Sequence, residues 1–212
     1  MPFPRTHPSL ALALAEQGYE EPTPVQAAVL EKHAVDRDLL VSAQTGSGKT
    51  VAYGLALAST ILGGAPALAP AGAPVVLVIA PTRELALQVA RELGWLYAKA
   101  GSRVVTCVGG MDSRREQRDL ASGAHFVVGT PGRLRDHLER GHLDLSSLEV
   151  AVLDEADEML DLGFKEDLEF ILEATPPQRR TLLFSATIAK DIAALAQQYQ
   201  RCLLYTSWCP PP

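Results

Sequence analysis

One short string restricts the architecture of this chain more than any other feature. Ala43-Gln44-Thr45-Gly46-Ser47-Gly48-Lys49-Thr50 follows directly on the apolar run Leu39-Leu40-Val41 and leads into a helix-compatible segment at 51–62. A strand that feeds a glycine-rich loop into the start of a helix leaves several backbone N–H groups unpaired and converging on one spot, where polyphosphate can sit. Gly46 and Gly48 keep that spot open, Lys49 can reach the outer phosphates, and the Thr50 hydroxyl is placed to help hold the magnesium ion that phosphates bring. The strict form of the pattern has glycine where this chain has Ala43.

The surroundings suit such a loop. Short apolar runs rich in β-branched residues recur at 75–80, 104–108, 126–129, 150–153 and 181–184, and segments with helical apolar spacing lie at 84–100, 112–121, 131–140, 165–174 and 188–199. Strands apolar throughout, alternating with helices, indicate a parallel sheet covered on both faces. Between the first helix and the next strand, 63–74 is a run of Gly, Ala and Pro that reads as a loop or flexible insertion. The 212 residues suit one α/β domain rather than two.

Bulk composition narrows the chemistry. No apolar run approaches bilayer-spanning length, and Met1-Pro2-Phe3-Pro4-Arg5 lacks the apolar core of a secretion signal, so the cytoplasm is the expected location. Cys107, Cys202 and Cys209 form neither a disulfide framework nor a zinc-ligand set, and no structural metal is expected. A net charge of −6 argues against binding nucleic acid through bulk electrostatics, which leaves local patches and helix termini.

In parallel α/β sheets ligands bind at the carboxyl ends of strands. The run 150–153 leads into Asp154-Glu155-Ala156-Asp157, which puts carboxylates on the same edge as the phosphate loop: Asp154 to bind magnesium through water, Glu155 to orient or deprotonate an attacking water. Two other strand ends lead into Pro81-Thr82-Arg83 and Thr130-Pro131-Gly132-Arg133. Each offers a helix amino terminus, a hydroxyl and an arginine suited to the phosphates of a nucleic-acid backbone, and Gly109-Gly110 offers a third point of close approach.

In order and spacing these segments resemble the first RecA-like domain of the DEAD-box RNA helicases. The resemblance rests on Gly18-Tyr19-Glu20-Glu21-Pro22-Thr23-Pro24-Val25-Gln26, the loop from Ala43 to Thr50, Pro81 to Ala86, Gly109-Gly110, Thr130 to Arg133, Asp154 to Asp157 and Ser185-Ala186-Thr187. It covers 3–199, and Ala43 is the residue this family usually carries. It implies a RecA-like three-layer sandwich with a mostly parallel central sheet, ATP and Mg2+ as ligands, and RNA as partner through its backbone. Gln26, assisted by Thr23 and Tyr19, is implied to hold adenine, and Gln44, Thr45, Gly46, Ser47, Gly48, Lys49 and Thr50 the phosphates. Lys49, Asp154 and Glu155 are implied to be catalytic, with Thr50 and Asp154 at the metal. Asp157, Ser185 and Thr187 are implied to couple nucleotide state to domain closure. Phe3 is the candidate for the aromatic ring that the family stacks on adenine.

The same resemblance implies an ATP-dependent RNA helicase whose second RecA-like domain, with its arginine finger, is absent from this chain. The isolated domain is then expected to be monomeric, to hydrolyse ATP slowly and to unwind nothing. Residues 201–212 do not follow the family and are expected to be poorly ordered. Two other readings stay open from the sequence: another P-loop nucleic-acid-dependent ATPase such as a DNA translocase, and a non-catalytic nucleotide- or RNA-binding module.

Overall fold

The computed structural model describes residues 3–201 and 204–207. The apolar runs become β1 (Leu39–Ser42), β2 (Val76–Ile79), β3 (Val104–Cys107), β4 (Phe126–Gly129), β5 (Val150–Leu153) and β6 (Arg180–Ser185), joined by β7 (Leu204–Ser207). They form one sheet in the order β3-β4-β2-β5-β6-β1-β7, with every adjacent pair parallel. The helices are α1 (Pro8–Glu16), α2 (Pro24–Val29), α3 (Lys49–Ile61), α4 (Arg83–Leu96), α5 (Ser113–Ala121), α6 (Pro131–Glu139), α7 (Ala156–Asp161), α8 (Lys165–Glu173) and α9 (Lys190–Tyr199).

The two-residue period of a strand divides the core into two layers. Val76, Val78, Val150, Val152, Leu182 and Phe184 point to one side, where they pack with Leu10, Leu14, Val25, Tyr53, Leu57, Val89 and Leu93 of α1–α4. Leu77, Ile79, Ala151, Leu153 and Leu183 point to the other, against Leu134, Met159, Leu168, Ile171, Ile192 and Leu195 of α6–α9. The result is the expected α/β three-layer sandwich. Among the described residues no helix is long and apolar enough to cross a membrane.

Three features differ from the sequence expectation. The helix expected to reach residue 100 stops at Leu96, and the short turn Ala98–Ala100 follows. Tyr97, which caps that end, donates from its buried hydroxyl to Gly54 O at 2.6 Å and pins α3 to α4. The Gly/Ala/Pro segment at 63–74 is a loop, but an anchored one: Leu68 N donates to Ala100 O at 2.9 Å, and Ser9 Oγ donates to Pro66 O at 2.9 Å. His125 also holds it. Its Nδ1 accepts from Arg103 N at 2.9 Å, so Nε2 carries the proton and donates to Ala69 O at 2.6 Å.

The tail is the third difference. Poor order was expected throughout 201–212, yet Leu204–Ser207 pair in parallel register with Leu39–Ser42; positions 202–203 and 208–212 lie outside the described residues. Without β7, β1 would present an open row of N–H and C=O groups. Gln200 and Asp38 direct the chain there. Gln200 Nε2 donates to Leu39 O at 2.8 Å and Thr181 O at 3.0 Å, while the Asp38 carboxylate accepts from Thr181 N at 2.7 Å and from Arg201 N.

One strand end has no room for a side chain. A Cβ on Gly129 would lie 2.5 Å from Cys107 O and 2.8 Å from Leu134. Gly129→Ala is therefore expected to destabilise the fold by about 1–3 kcal/mol, seen as a lower urea midpoint at an unchanged slope.

Candidate functional site

Because all strands are parallel, all their carboxyl ends share one edge, and the strand order divides that edge in two. β5, β6 and β1 are adjacent and lead into Asp154–Asp157, Ser185–Thr187 and the phosphate loop. β3, β4 and β2 are adjacent and lead into Gly109-Gly110, Thr130–Arg133 and Pro81–Arg83. The two sets of candidate residues thus occupy neighbouring halves of one edge.

In the phosphate loop, Gly46 and Gly48 have φ of 82° and 86°, a region open to glycine and costly for other residues. Gly48 is constrained twice, since a Cβ there would meet Gln26 Nε2 at 2.5 Å. It also stands at the N-cap of α3 without any side-chain cap, unlike Thr82 and Asp112, which cap α4 and α5 with their own oxygens. The uncapped amino end of a 13-residue helix, with its partial positive charge, faces this loop.

Lys49 lies over the loop, only 6% exposed. Its Nζ donates to Ala43 O at 3.0 Å and pairs with Glu155 Oε1 at 2.8 Å, and Thr45 Oγ1 donates to the same carboxylate oxygen at 2.9 Å. Glu155 is therefore the anionic partner of the loop's one lysine. Glu155 is also held at φ 51°, in the left-handed region where a non-glycine residue costs on the order of 1–3 kcal/mol. Replacing it by glycine would relieve the backbone and lose the carboxylate.

Asp154 is 2% exposed. Its N donates to Ile79 O at 2.9 Å, which continues the β5–β2 ladder by one residue, and its Oδ2 accepts from Tyr53 Oη at 3.1 Å. Oδ1 is buried and has no partner. Burial pushes the Asp154 carboxyl up to about 6; Lys49 opposes that rise and Glu155 adds to it. Burial and the Asp154 charge likewise push the Tyr53 phenol well above its ordinary value, so it serves as a donor. A hard divalent cation fits this arrangement, since an orphaned buried carboxylate oxygen is the ligand type magnesium takes.

The segment upstream of the loop is bound to it directly. Gln26, 1% exposed, accepts from Thr23 N at 3.0 Å and donates to Gly48 O at 3.3 Å, while Thr23 Oγ1 donates to Ser47 O at 2.9 Å. Thr23 and Gln26 also form the capping box that starts α2. Two aromatic expectations need correction. Phe3 is 3% exposed and packed in the core, edge-on to Tyr19 at 6.4 Å, so it presents no free face to a purine. The Tyr19 ring is stacked on Trp95 of α4 at 5.7 Å rather than turned to the phosphate loop. Both rings are occupied by apolar packing, which the sequence spacing did not reveal.

Asp157, Ser185 and Thr187 are brought together as a group. Asp157 accepts from Thr187 N and Thr187 Oγ1, each at 3.0 Å, and from Ala186 N at 3.4 Å, while Ser185 Oγ donates to Thr187 O at 2.7 Å. Partial burial alone would raise the Asp157 carboxyl; the donors from 185–187 outweigh it and hold the carboxyl below its usual value.

On the other half of the edge, Arg83, Gly109, Gly110 and Gly132 are exposed and Thr130 is half-buried. Arg83 Nη1 would lie 3.1 Å from a Cβ on Gly110, so these two turns touch. Thr82 spends its hydroxyl on Leu85 N at 3.3 Å as the α4 cap. Pro131 at the first position of α6 and Pro81 just before the Thr82 cap of α4 are both buried and offer no surface, a correction to their assignment as contacts. Arg133 is not free either, because its Nη1 is bound to Glu116 Oε2 at 2.9 Å.

Glu116 went unrecognised in the sequence. It is the one buried residue of α5, and it accepts from Val108 N at 2.9 Å through Oε1 and from Arg133 and His137 Nε2, the latter at 2.7 Å, through Oε2. One carboxylate thus joins the end of β3 to α5 and α6. The available sign was indirect: α5 has almost no apolar residue with which to anchor itself. Cys107 adds a third ligand-type atom, all within 4.8 Å of one another. Burial, then the Glu116 charge, drives the Cys107 thiol far up, and the Glu116 oxygens are already filled, so the group is a hydrogen-bonded knot.

A phosphate-type loop and an acidic strand end on a parallel sheet define a P-loop nucleotide-binding α/β domain. The model of the DEAD/DEAH box helicase family matches residues 23–195, and the chain belongs to that family. It is 43% identical over 187 residues to the DEAD-box ATP-dependent RNA helicase CshA of Geobacillus kaustophilus (strain HTA426), covering 88% of this chain and 39% of that protein. It is 47% identical over 190 residues to the ATP-dependent RNA helicase DeaD of Klebsiella pneumoniae, covering 89% and 29%. The crystal structure of a DEAD box protein from the hyperthermophile Methanococcus jannaschii superposes with a TM-score of 0.84 at 33% identity, over 94% of this chain and 53% of that one. The chain therefore spans well under half the length of these two curated relatives.

Buried and exposed charges differ in what they contribute to folding, and three substitutions separate them. Glu116→Ala strands Arg133 and is expected to cost about 3–5 kcal/mol in urea unfolding. Glu139→Ala, which breaks an exposed pair with Arg135 on α6, should cost less than about 0.5 kcal/mol. For Asp154, a carboxyl raised in the folded chain supports folding below its unfolded value of 3.8, and that support is lost as pH rises through about 6. Asp154→Asn should therefore match the parent near pH 4 and exceed it above pH 7, by up to about 3 kcal/mol. Thermal unfolding in EDTA without nucleotide, across that pH range, measures the difference.

Proposed function

We propose that this chain is the ATP-binding half of an ATP-dependent RNA helicase, which binds Mg-ATP or ADP on one half of the sheet edge and the RNA backbone on the other. The observation that carries the reading is the strand order, which puts the three nucleotide-type strand ends beside the three backbone-type ends. The names of the CshA and DeaD relatives agree with it. In this reading Lys49 and the loop amides hold phosphates, and Gln26 holds the adenine edge with the second donor and acceptor that its amide retains, assisted by Thr23. Thr50 and Asp154 would hold Mg2+, which supplies charge neutralisation at the phosphates. Glu155 orients or deprotonates water, a role that requires Lys49 to leave it for the phosphates. Asp157, Ser185 and Thr187 link nucleotide state to closure against a second RecA-like domain, whose arginine completes the site. Without that domain the chain hydrolyses ATP slowly and unwinds nothing. The chain would act as a monomer in the cytoplasm.

RNA runs across Arg83, Gly109, Gly110, Thr130 and Gly132, with Arg133 aimed by Glu116. An acidic protein can hold a polyanion there through helix amino ends and a few arginines. Lys49→Ala is expected to weaken ADP binding at least about tenfold with the fold intact; undiminished binding by calorimetry would refute the phosphate assignment. Glu155→Gln should bind ADP several-fold more tightly, because Lys49 no longer has a competing carboxylate. Joined to a second RecA-like domain, the same variant should lose about 10²–10⁴ in RNA-stimulated ATP turnover. Equal stimulation of the parent by DNA would make it a DNA translocase.

A further inference from the structure

Among the described residues Tyr53 supplies the one side-chain hydrogen bond to the Asp154 carboxylate. It lies one helical turn beyond Lys49 on α3, on the same face, with its ring fully buried and edge-on to Phe184 of β6 at 5.3 Å. Packing alone would be met by phenylalanine, so the hydroxyl has another use. It donates to Asp154 Oδ2 at 3.1 Å. The Asp154 backbone is fixed independently through its N–H to Ile79 O. The Tyr53 hydroxyl thus divides the two carboxylate oxygens: Oδ2 is engaged by a side chain, and Oδ1 is buried without a partner.

We infer that Tyr53 is a positioning residue for the metal-holding carboxylate: by fixing Oδ2 it leaves Asp154 Oδ1 as the ligand for the divalent cation that accompanies the nucleotide. The inference rests on the reading of Asp154 as a magnesium ligand. Hydrogen-bond partners behind a metal ligand orient it and hold its charge, and losing one typically costs about 10–100-fold in metal affinity. In Tyr53→Phe, Oδ2 loses its donor, both oxygens of a buried carboxylate stand bare, and the rotamer is no longer fixed. The ring packing and the Lys49 contacts are untouched.

The two roles open to a buried tyrosine, packing and positioning, separate in the metal dependence of nucleotide binding. ADP affinity is measured by calorimetry on this chain and on Tyr53→Phe, first in EDTA and then over a MgCl2 titration. The expected result is ADP affinity in EDTA equal within about twofold, with the Mg2+ concentration that half-saturates the tightening raised about tenfold or more in the variant. An unchanged Mg2+ midpoint overturns the inference, and so does an equal loss of ADP affinity with and without Mg2+, which would mark a packing role. If ADP binding by the parent chain is itself indifferent to Mg2+, the metal reading of Asp154 fails and this inference with it. Asp154→Asn gives the closing check. In that background Tyr53→Phe should change nothing further, and an additional loss would show that Tyr53 acts by another route.

Discussion

Everything at this site depends on seven parallel strands that send every strand's carboxyl end to one edge. A parallel sheet has no hairpins, so each strand end passes into a loop or helix start, and each such junction leaves backbone N–H groups or a side chain facing the edge. Chain order alone would scatter the six motifs. Strand order gathers them into two adjacent groups, because β2 is followed in the sheet by β5 on one side and β4 on the other. The division between nucleotide-type and backbone-type residues is a consequence of topology before any side chain is considered.

The groups on the nucleotide side oppose folding. Asp154 is buried with an unpartnered oxygen, Glu155 sits in left-handed backbone, and Lys49 is taken out of water against it. A buried ion pair of this kind gains little over apolar packing, since desolvation offsets most of the attraction. The pair keeps the lysine and the carboxylate satisfied, and under the proposed reading a phosphate would replace the carboxylate as the lysine's anionic partner. The Glu116 knot, set beside the second core layer at Cys107 and α6, supplies rigidity that this half lacks.

What was legible in the sequence was what is local. The phosphate loop, the acidic strand end and the strand positions are contiguous strings whose chemistry follows from neighbours along the chain, and six strands were placed to within a residue. What was illegible depends on a partner far away. Phe3 and Tyr19 looked available because nothing nearby shows Trp95 and the core taking up their rings. Arg133 looked free because Glu116 lies 17 residues upstream on another helix. The order in 204–207 was missed because it comes from Asp38 and Gln200, which steer the chain onto the open side of β1. Tyr53 was read only as part of an apolar helix, its hydroxyl having no meaning until β5 brings Asp154 beside it.

The two halves of the edge are joined by backbone rather than by side chains. Asp154 N donates to Ile79 O, Ala80 N to Gly129 O, and Thr130 N to Cys107 O, each between 2.9 and 3.1 Å. These three bonds extend the ladder one residue beyond β5, β2 and β4, and they tie Asp154, Thr130 and the residue before Pro81 each to the strand beside it. They run from Asp154 through Ile79 to Ala80, the residue before Pro81, and on through Gly129 to the turn that Glu116 braces. Gly129 leaves no slack at that point, since its neighbours stand closer than a methyl group allows. A stiff connection of this kind transmits small displacements without needing a mobile element. At the far side of the edge Asp157, half-buried, and Thr187, exposed, are joined to each other by a hydrogen bond between the segments that follow β5 and β6.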